Sequence, residues 1–284
     1  MLLKPFNFHA PNSLESALQT YGSLQDVKLQ AGGTFLLNSL KTMKRKGAKT
    51  PQHIISLAHI PELKGIEDQG DYVVVKSMTN IDEIHDSPLL TGNLGVLRVA
   101  AKNISSQLIR NMATLGGNLT CRYTWTEMPA VMIALQARMH FTGVDGKEEI
   151  VPAEEFFKNA AKTDKIFTHV SIKKDKDISF AYFRVKKTLY VDIPLLSLCI
   201  TTRLVKGKFS QTIVAVNNCV AFAQRDRKLE EFLNEKSVAD KTLGETALAH
   251  LDESIYDARG TDYKKYMFRV GIKHILRDLT EKHR

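Results

Sequence analysis

Two pairs of adjacent glycines constrain this chain more than any other feature of its sequence. The first pair, Gly32-Gly33, follows the alternating segment 27–31, which is typical of a β-strand, and precedes a helical pattern at 35–40. The second pair, Gly116-Gly117, comes shortly after a helical pattern over 94–109. Because glycine lacks Cβ and tolerates positive φ, such turns let backbone N–H groups approach anionic oxygens. Together they predict a site for a phosphate-bearing ligand.

Neither glycine pair belongs to a common nucleotide-binding sequence. The chain shows neither the G-x-G-x-x-G pattern of Rossmann folds nor the G-x-x-x-x-G-K-[ST] pattern of phosphate loops around these pairs. Taken singly, a Gly-Gly pair is most often an ordinary tight turn. The phosphate interpretation therefore depends on the two turns acting together, in a different nucleotide-binding fold.

The length of 284 residues predicts two or three packed lobes. A charged segment, 173–177, marks the main expected domain boundary. We expect an N-terminal domain at 1–175, made of a first lobe at about 1–58 and a second at about 59–175, and a C-terminal domain at 176–284. The latter begins with β-rich segments and ends with helical patterns, so the expected fold class is α+β.

Composition excludes several classes of protein. The chain is 43% hydrophobic and 25% charged, as in ordinary globular proteins, and no run approaches the roughly 20 apolar residues of a membrane helix. The N-terminus does not resemble a secretory signal, which predicts a cytoplasmic protein. Cys121, Cys199 and Cys219 form no C-x-x-C pair, and the nine histidines form no helical metal pair, so no metal site is predicted.

The formal net charge of +9 raises the question of an anionic partner. The densest basic cluster, 41–49, follows a predicted helix and has no aromatic residues at intervals suited to stacking on bases. A solvated helix end or a protein-docking surface explains this cluster better than a nucleic-acid site does.

Three segments make the chain similar to a known family. They are 8–17 (FHAPNSLESA), 29–36 (LQAGGTFL) and 109–119 (IRNMATLGGNL). In content, order and separation they resemble the FAD-binding subunits and domains of the molybdenum hydroxylases, a family that includes xanthine dehydrogenase, aldehyde oxidoreductase and carbon monoxide dehydrogenase. The similarity extends over nearly the whole chain.

The resemblance implies a two-lobed FAD-binding domain of the vanillyl-alcohol-oxidase (PCMH) type, followed by a C-terminal domain with a small antiparallel sheet and helices. It implies noncovalent FAD in this chain, with molybdopterin in a large partner subunit and 2Fe-2S clusters in a small one. Electrons would pass from those clusters through FAD to NAD, a quinone or dioxygen. No catalytic side chain is expected, because the flavin carries the chemistry.

The resemblance also implies which residues contact FAD. Glu127 matches an acidic residue that holds ribitol or ribose hydroxyls, and Arg184 matches a position, often lysine, near the flavin ring. Ser105 and Ile166 match positions that line the flavin or adenine pocket. The full expected set is Leu29, Gln30, Ala31, Gly32, Gly33, Thr34, Phe35, Leu36, Ser105, Thr114, Gly116, Gly117, Asn118, Cys121, Glu127, Ile166 and Arg184.

Two segments depart from the family pattern. Residues 121–127 lack the usual small residues, Ser-Pro and Asp, and include Trp125, which either covers the flavin, docks a partner or simply packs. Residues 215–218 lack the usual glycine and proline. The atypical 121–127 segment keeps open an alternative, an assembly module of the same fold that has lost FAD. A further alternative is a stand-alone flavin oxidoreductase, which would turn over substrate without partner chains.

Overall fold

The structure is a computed structural model of the whole chain. It describes residues 3–121, 123–159, 164–186, 188, 191, 193–218, 222–257 and 261–281. Arg122 and Cys219 therefore lie outside the described residues.

The N-terminal part is a small α/β unit with a parallel sheet. Its strand order is β1-β3-β2, so the middle position belongs to the last strand in sequence. Ser13 caps the first helix by accepting a hydrogen bond from the Ser16 N–H (3.2 Å), as its sequence position predicts. The elements are β1 (Asn7–His9), α1 (Leu14–Ser23), β2 (Val27–Gln30), α2 (Leu36–Arg45) and β3 (His53–Ser56).

The middle part is a five-stranded antiparallel sheet in the order β4-β5-β8-β6-β7. Alternate residues such as Val73, Val75 and Val170 are fully buried in one hydrophobic cluster with the helices. The elements are β4 (Ile66–Gln69), β5 (Tyr72–Lys76), α3 (Ile81–Asp86), α4 (Gly95–Asn103), α5 (Gln107–Arg110), α6 (Leu115–Thr120), α7 (Met128–Ala134), β6 (Arg138–Thr142), β7 (Glu148–Pro152), α8 (Ala153–Lys158) and β8 (Ile166–Lys173).

The helical pattern predicted over 94–109 is interrupted in the structure. It forms α4 and α5, because Ser105 adopts a positive φ of 50° and Ser106 caps the second helix, its hydroxyl accepting from the Ile109 N–H. The serine hydroxyl competes with the helix backbone for hydrogen bonds, which explains the break.

The C-terminal part contains a four-stranded antiparallel sheet in the order β12-β11-β10-β9, with helices after it. The expected α+β class with a small C-terminal antiparallel sheet is confirmed. The elements are β9 (Ile178–Lys186), β10 (Pro194–Val205), β11 (Lys208–Asn217), β12 (Gln224–Arg225), α9 (Arg227–Leu233), α10 (Leu243–Thr246), α11 (Glu253–Asp257) and α12 (Asp262–Glu281). Short 3-10 helices occur at Pro61–Leu63, Gly92–Leu94 and Ala247–His250.

The two faces of the C-terminal sheet pack against different neighbours. One face carries Cys199 and Ala215 into the hydrophobic cluster of the middle part, and the Thr201 hydroxyl donates to the carbonyl of Ala134 in α7 (2.7 Å). The other face packs on α12, where Gly271 lies against Phe183. The C-terminal sheet is thus held against the middle part, which brings the end of β9 close to α7.

The connections between the three sheets lie at 57–65 and 174–177. On this basis we propose the same division as the sequence predicts, with a first lobe at 1–58, a second at 59–175 and a C-terminal domain at 176–284. Within the described ranges, no helix has both the length and the hydropathy needed to cross a bilayer.

Candidate functional site

A cavity of about 1210 Å³ lies where the three parts of the chain meet. Its walls come from β2 and α2, from the segment between α4 and α6, from residues 123–127, and from the end of β9 and the start of β10. Ligand pockets usually measure about 300–1,000 Å³, so this cavity has room for a large ligand.

The first glycine turn lies on the wall of this cavity and leads into the N-terminus of α2. Gly33 adopts a positive φ of 70°. Within the described part of the chain, the N–H groups of Gly32, Gly33 and Thr34 have no hydrogen-bond acceptor, and the helix has no side-chain cap at Phe35. Unpaired N–H groups at a helix N-terminus bind anions. The phosphate-binding prediction therefore fits the first turn.

The second glycine pair has a different geometry from the one expected. Gly116 and Gly117 lie in the first turn of α6 and have no positive φ. The first four N–H groups of α6 all have acceptors within the protein. The N–H groups of Leu115 and Gly116 donate to the carbonyl oxygens of Thr79 (3.0 Å) and Ser77 (2.7 Å), and those of Gly117 and Asn118 donate to the hydroxyl (3.1 Å) and the carbonyl oxygen (3.0 Å) of Thr114. The pair is therefore not the positive-φ turn that the sequence predicts, and its N–H groups are bonded within the protein; its contact with a phosphate-bearing ligand stays a prediction.

What the second pair does provide is close packing. A Cβ on Gly116 would lie 2.8 Å from the carbonyl oxygen of Ser77, so α6 rests directly on the loop after β5. A Cβ on Gly32 would lie 1.9 Å from the carbonyl oxygen of Met112, just before α6. The two glycine segments are therefore adjacent, as the sequence predicts, and glycine is required at 32 and 116 by the protein itself.

Most of the predicted contact residues lie on the cavity wall, and two do not. Gln30 and Ile166 are outside the lining set; Ile166 is fully buried in an apolar cluster with Ala17 and Leu18. Their roles in binding stay predictions. The predicted residues that line the cavity are Leu29, Ala31, Gly32, Gly33, Thr34, Phe35, Leu36, Ser105, Thr114, Gly116, Gly117, Asn118, Cys121, Glu127 and Arg184.

Glu127 and Arg184 form a buried ion pair, and the Tyr182 hydroxyl donates to the other carboxylate oxygen of Glu127. Burial raises the pKa of the Glu127 carboxyl, while Arg184 and Tyr182 act in the opposite direction. Burial, followed by the nearby Glu127, raises the pKa of Tyr182 well above its ordinary value. Each carboxylate oxygen of Glu127 thus already accepts a hydrogen bond from the protein. To bind hydroxyls of the cofactor as well, Glu127 would have to use the remaining lone pairs of these oxygens.

An aromatic cluster of Phe35, Tyr123 and Trp125 also lines the cavity; the sequence analysis named Phe35 and Trp125 and missed Tyr123. Tyr123 and Trp125 stack on each other with ring centroids 5.2 Å apart. Phe35, at the N-cap of α2, lies 4.4 Å from the Tyr123 ring and 5.5 Å from the Trp125 ring. The signal for the whole cluster was the aromatic composition of 123–125, beside a predicted binding turn.

Outside this cavity, His140, Glu148 and His169 lie close together on the five-stranded sheet. The cross-strand pairing of His140 with His169 brings them together, which helical spacing does not reveal. The two imidazole rings stack at 4.0 Å with 17° between their planes. Nearly parallel rings direct their nitrogen lone pairs along separate planes, so this arrangement does not converge on one metal ion.

The chain is similar to known proteins in sequence. Residues 4–173 match the family described as "FAD binding domain in molybdopterin dehydrogenase". The carbon monoxide dehydrogenase medium chain of Hydrogenophaga pseudoflava is 36% identical over 158 residues, 55% of this chain and 53% of that one, so the match spans about half of the relative. The nicotine 6-hydroxylase medium subunit of Paenarthrobacter nicotinovorans is 27% identical over 263 residues, 89% of this chain and 90% of that subunit.

Solved structures are similar over almost the full length. A chain of carbon monoxide dehydrogenase from Hydrogenophaga pseudoflava, in a form that lacks the Mo-pyranopterin moiety, superposes with a TM-score of 0.86 at 29% identity over 97% of both chains. A chain of reconstituted CO dehydrogenase from Oligotropha carboxidovorans gives a TM-score of 0.88 at 26% identity over 99% of both. The similarity thus includes the C-terminal sheet and helices, beyond the segment that the family covers.

Proposed function

This chain belongs to the family of FAD binding domains in molybdopterin dehydrogenases, and from this premise we propose that it binds FAD noncovalently in the cavity described above and acts as the electron-transferring FAD subunit of a molybdenum hydroxylase. The observation that carries the proposal is the first turn, where Gly32, Gly33 and Thr34 present N–H groups without protein acceptors on the cavity wall.

The residues of the cavity fit such a cofactor. A pyrophosphate bound at the first turn supplies acceptors for the unpaired N–H groups, and the positive end of the α2 dipole stabilises its charge. The aromatic wall suits planar rings. Arg184 and Glu127, held by Tyr182, form a rigid polar section of the wall. Bound FAD would supply the electron-accepting and electron-donating chemistry, which none of the chain's own side chains is expected to carry.

The place of the chain in a larger enzyme is proposed from its relatives. They are named as medium chains, a medium subunit and an FAD-subunit of dehydrogenases and a hydroxylase. We propose that a large partner subunit holds molybdopterin, that a small one holds 2Fe-2S clusters, and that electrons leave the FAD for NAD, a quinone or dioxygen. We also propose a cytoplasmic location.

The test is the visible spectrum of the full chain purified from its native host, with any attached subunits. We expect flavin absorption bands, and release of FAD when the protein is denatured without proteolysis. A colourless preparation that is unchanged by added FAD would overturn the proposal and favour the assembly-module alternative. Substrate turnover by the chain without partners would instead favour a stand-alone flavin oxidoreductase.

A further inference from the structure

The two segments that depart from the family pattern, 121–127 and 215–218, contact each other in the structure. The side-chain amide of Asn217 donates to the carbonyl oxygen of Thr126, and the Thr124 hydroxyl donates to the side-chain oxygen of Asn218 (3.1 Å). Residues 123–126 form a turn, which we name the aromatic turn, and this turn is fastened to the end of β11.

Asn218 is itself fixed in position. Its φ is 69°, a conformation that asparagine tolerates better than most residues. The side-chain amide of Asn218 donates to the carbonyl oxygen of Pro194 (2.6 Å) at the start of β10. The ammonium group of Lys264 in α12 donates to the backbone carbonyl oxygen of Asn218 (2.9 Å). Hydrogen bonds to the C-terminal sheet, and through Asn218 to α12, therefore fix the position of the aromatic turn.

The opposite side of the aromatic turn faces the first lobe. Tyr123 and Trp125 both lie against Phe35, which directly follows Thr34, the last residue of the first glycine turn with an unpaired N–H group. Tyr123 is 39% exposed although its side chain is a large aromatic ring. An exposed aromatic surface beside an anion site suits a ligand in which a planar ring is joined to phosphate.

We propose that Tyr123 and Trp125 form a stacking platform for a planar heteroaromatic ring of the bound nucleotide, and that Asn217 and Asn218 are positioning residues for that platform. The inference rests on the proposed function, since it concerns the ligand of the same cavity. FAD carries two such rings, adenine and isoalloxazine, and both offer a π-face for offset stacking. The experiment distinguishes them by using ligands that contain only one ring each.

Trp125 is the only tryptophan in the chain, so its fluorescence reports on the platform alone. The full chain, freed of flavin, is titrated with FAD, ADP and riboflavin while tryptophan emission and ligand affinity are followed. Quenching of Trp125 by ADP identifies the adenine ring as the stacked group, because ADP has no absorption that overlaps tryptophan emission. A loss of riboflavin affinity in the platform variants identifies the isoalloxazine.

The platform variants are W125L and Y123L, with W125F as the conservative partner. Base–aromatic stacking predicts a roughly 5- to 150-fold loss of FAD affinity in the leucine variants, and near-normal affinity in W125F. T124V and N218G each remove the hydrogen bond between Thr124 and Asn218, while the bond from Asn217 to Thr126 and both rings remain, and N218G keeps the positive φ accessible. We expect these two to weaken FAD binding by about tenfold with the rings intact.

Y266L is the matched control, since Tyr266 is an exposed aromatic on α12 outside the cavity lining. It should leave FAD affinity unchanged. If the unaltered chain binds FAD and the leucine variants bind it equally well, the platform is wrong and the proposed function stands. If T124V and N218G alone are unchanged, the positioning role is wrong. If the unaltered chain and its native complex both fail to bind FAD, the proposed function is wrong, and so is the proposal that Tyr123 and Trp125 stack on a ring of FAD.

Discussion

Gly32 and Met112 approach so closely that a Cβ at position 32 would lie 1.9 Å from the Met112 carbonyl oxygen. The Met112 carbonyl belongs to the backbone and cannot rotate away as a side chain could. In G32A the two glycine segments therefore have to move apart. We expect a lower melting temperature together with a large loss of bound FAD, measured by thermal unfolding and by flavin absorbance.

The control for this substitution is G207A. Gly207 has a positive φ of 74° and no atoms within 4 Å of an added Cβ, so alanine there adds backbone strain of about 1–2 kcal/mol without a clash. It should lose stability and keep its flavin. Equal flavin loss in both variants would show that general destabilisation, rather than separation of the two segments, empties the site.

Thr34 tests the anion site by charge. T34E places a carboxylate beside the N–H groups proposed to hold phosphate, whereas T34Q has almost the same size without the charge. A like-charge pair about 4 Å apart costs roughly 1–4 kcal/mol near a protein surface, so T34E should weaken FAD binding at least about fivefold relative to T34Q. Titration at low and high salt checks the cause, because screening should narrow the difference. Equal affinities would reject a phosphate site here.

The Glu127–Arg184 pair is buried, and its loss should be costly. Removing one partner of a buried pair leaves an uncompensated charge and costs about 3–5 kcal/mol, so R184M should lose stability on that scale in denaturant unfolding of flavin-free protein. The double variant E127Q/R184M should recover a substantial part of the loss. R269M, which breaks the exposed pair with Glu253, should cost about 1 kcal/mol or less. A cost for R184M as small as that for R269M would show that the buried pair contributes little.

His169 predicts a pH dependence of stability. Burial, followed by the neighbouring His140, lowers the pKa of His169 from 6.5 to about 4. The unfolded chain therefore binds this proton more readily than the folded chain between pH 6.5 and 4, so the contribution of His169 to stability is intact above pH 6.5 and is lost as the pH falls through this window. H169Q should unfold with a weaker pH dependence between pH 7 and 4. An identical slope in both proteins would contradict the assignment.

Sequence patterns predicted the parts of the fold where alternation or spacing is strong. The strand-like segment at 27–31 and the helical pattern at 35–40 correspond to β2 and α2, and the C-terminal domain ends in helices as expected. The order of strand, glycine pair and helix N-terminus in the first glycine segment was predicted correctly, because these are local features, while its phosphate binding stays a prediction. Such features depend only on neighbours in sequence, which is why the sequence reveals them.

Features that depend on distant partners escaped prediction. The N–H groups of Leu115 and Gly116 are taken by Thr79 and Ser77, almost forty residues earlier, and nothing in the glycine pattern reveals those acceptors. Glu127 meets Tyr182 and Arg184 across 55 and 57 residues, for the same reason. The sequence indicated that each position matters in the site, and the structure supplied the partner.

The aromatic turn has a consequence for the order of events during synthesis. Its rings belong to the middle of the chain, yet the groups that fasten it, Asn217 and Asn218, are made about ninety residues later, and Lys264 later still. A nascent chain in which only the two glycine segments have left the ribosome still lacks the cavity wall formed by the end of β9 and the start of β10. If FAD binds in this cavity as we propose, we expect it to bind only after residues 217–264 have been synthesised.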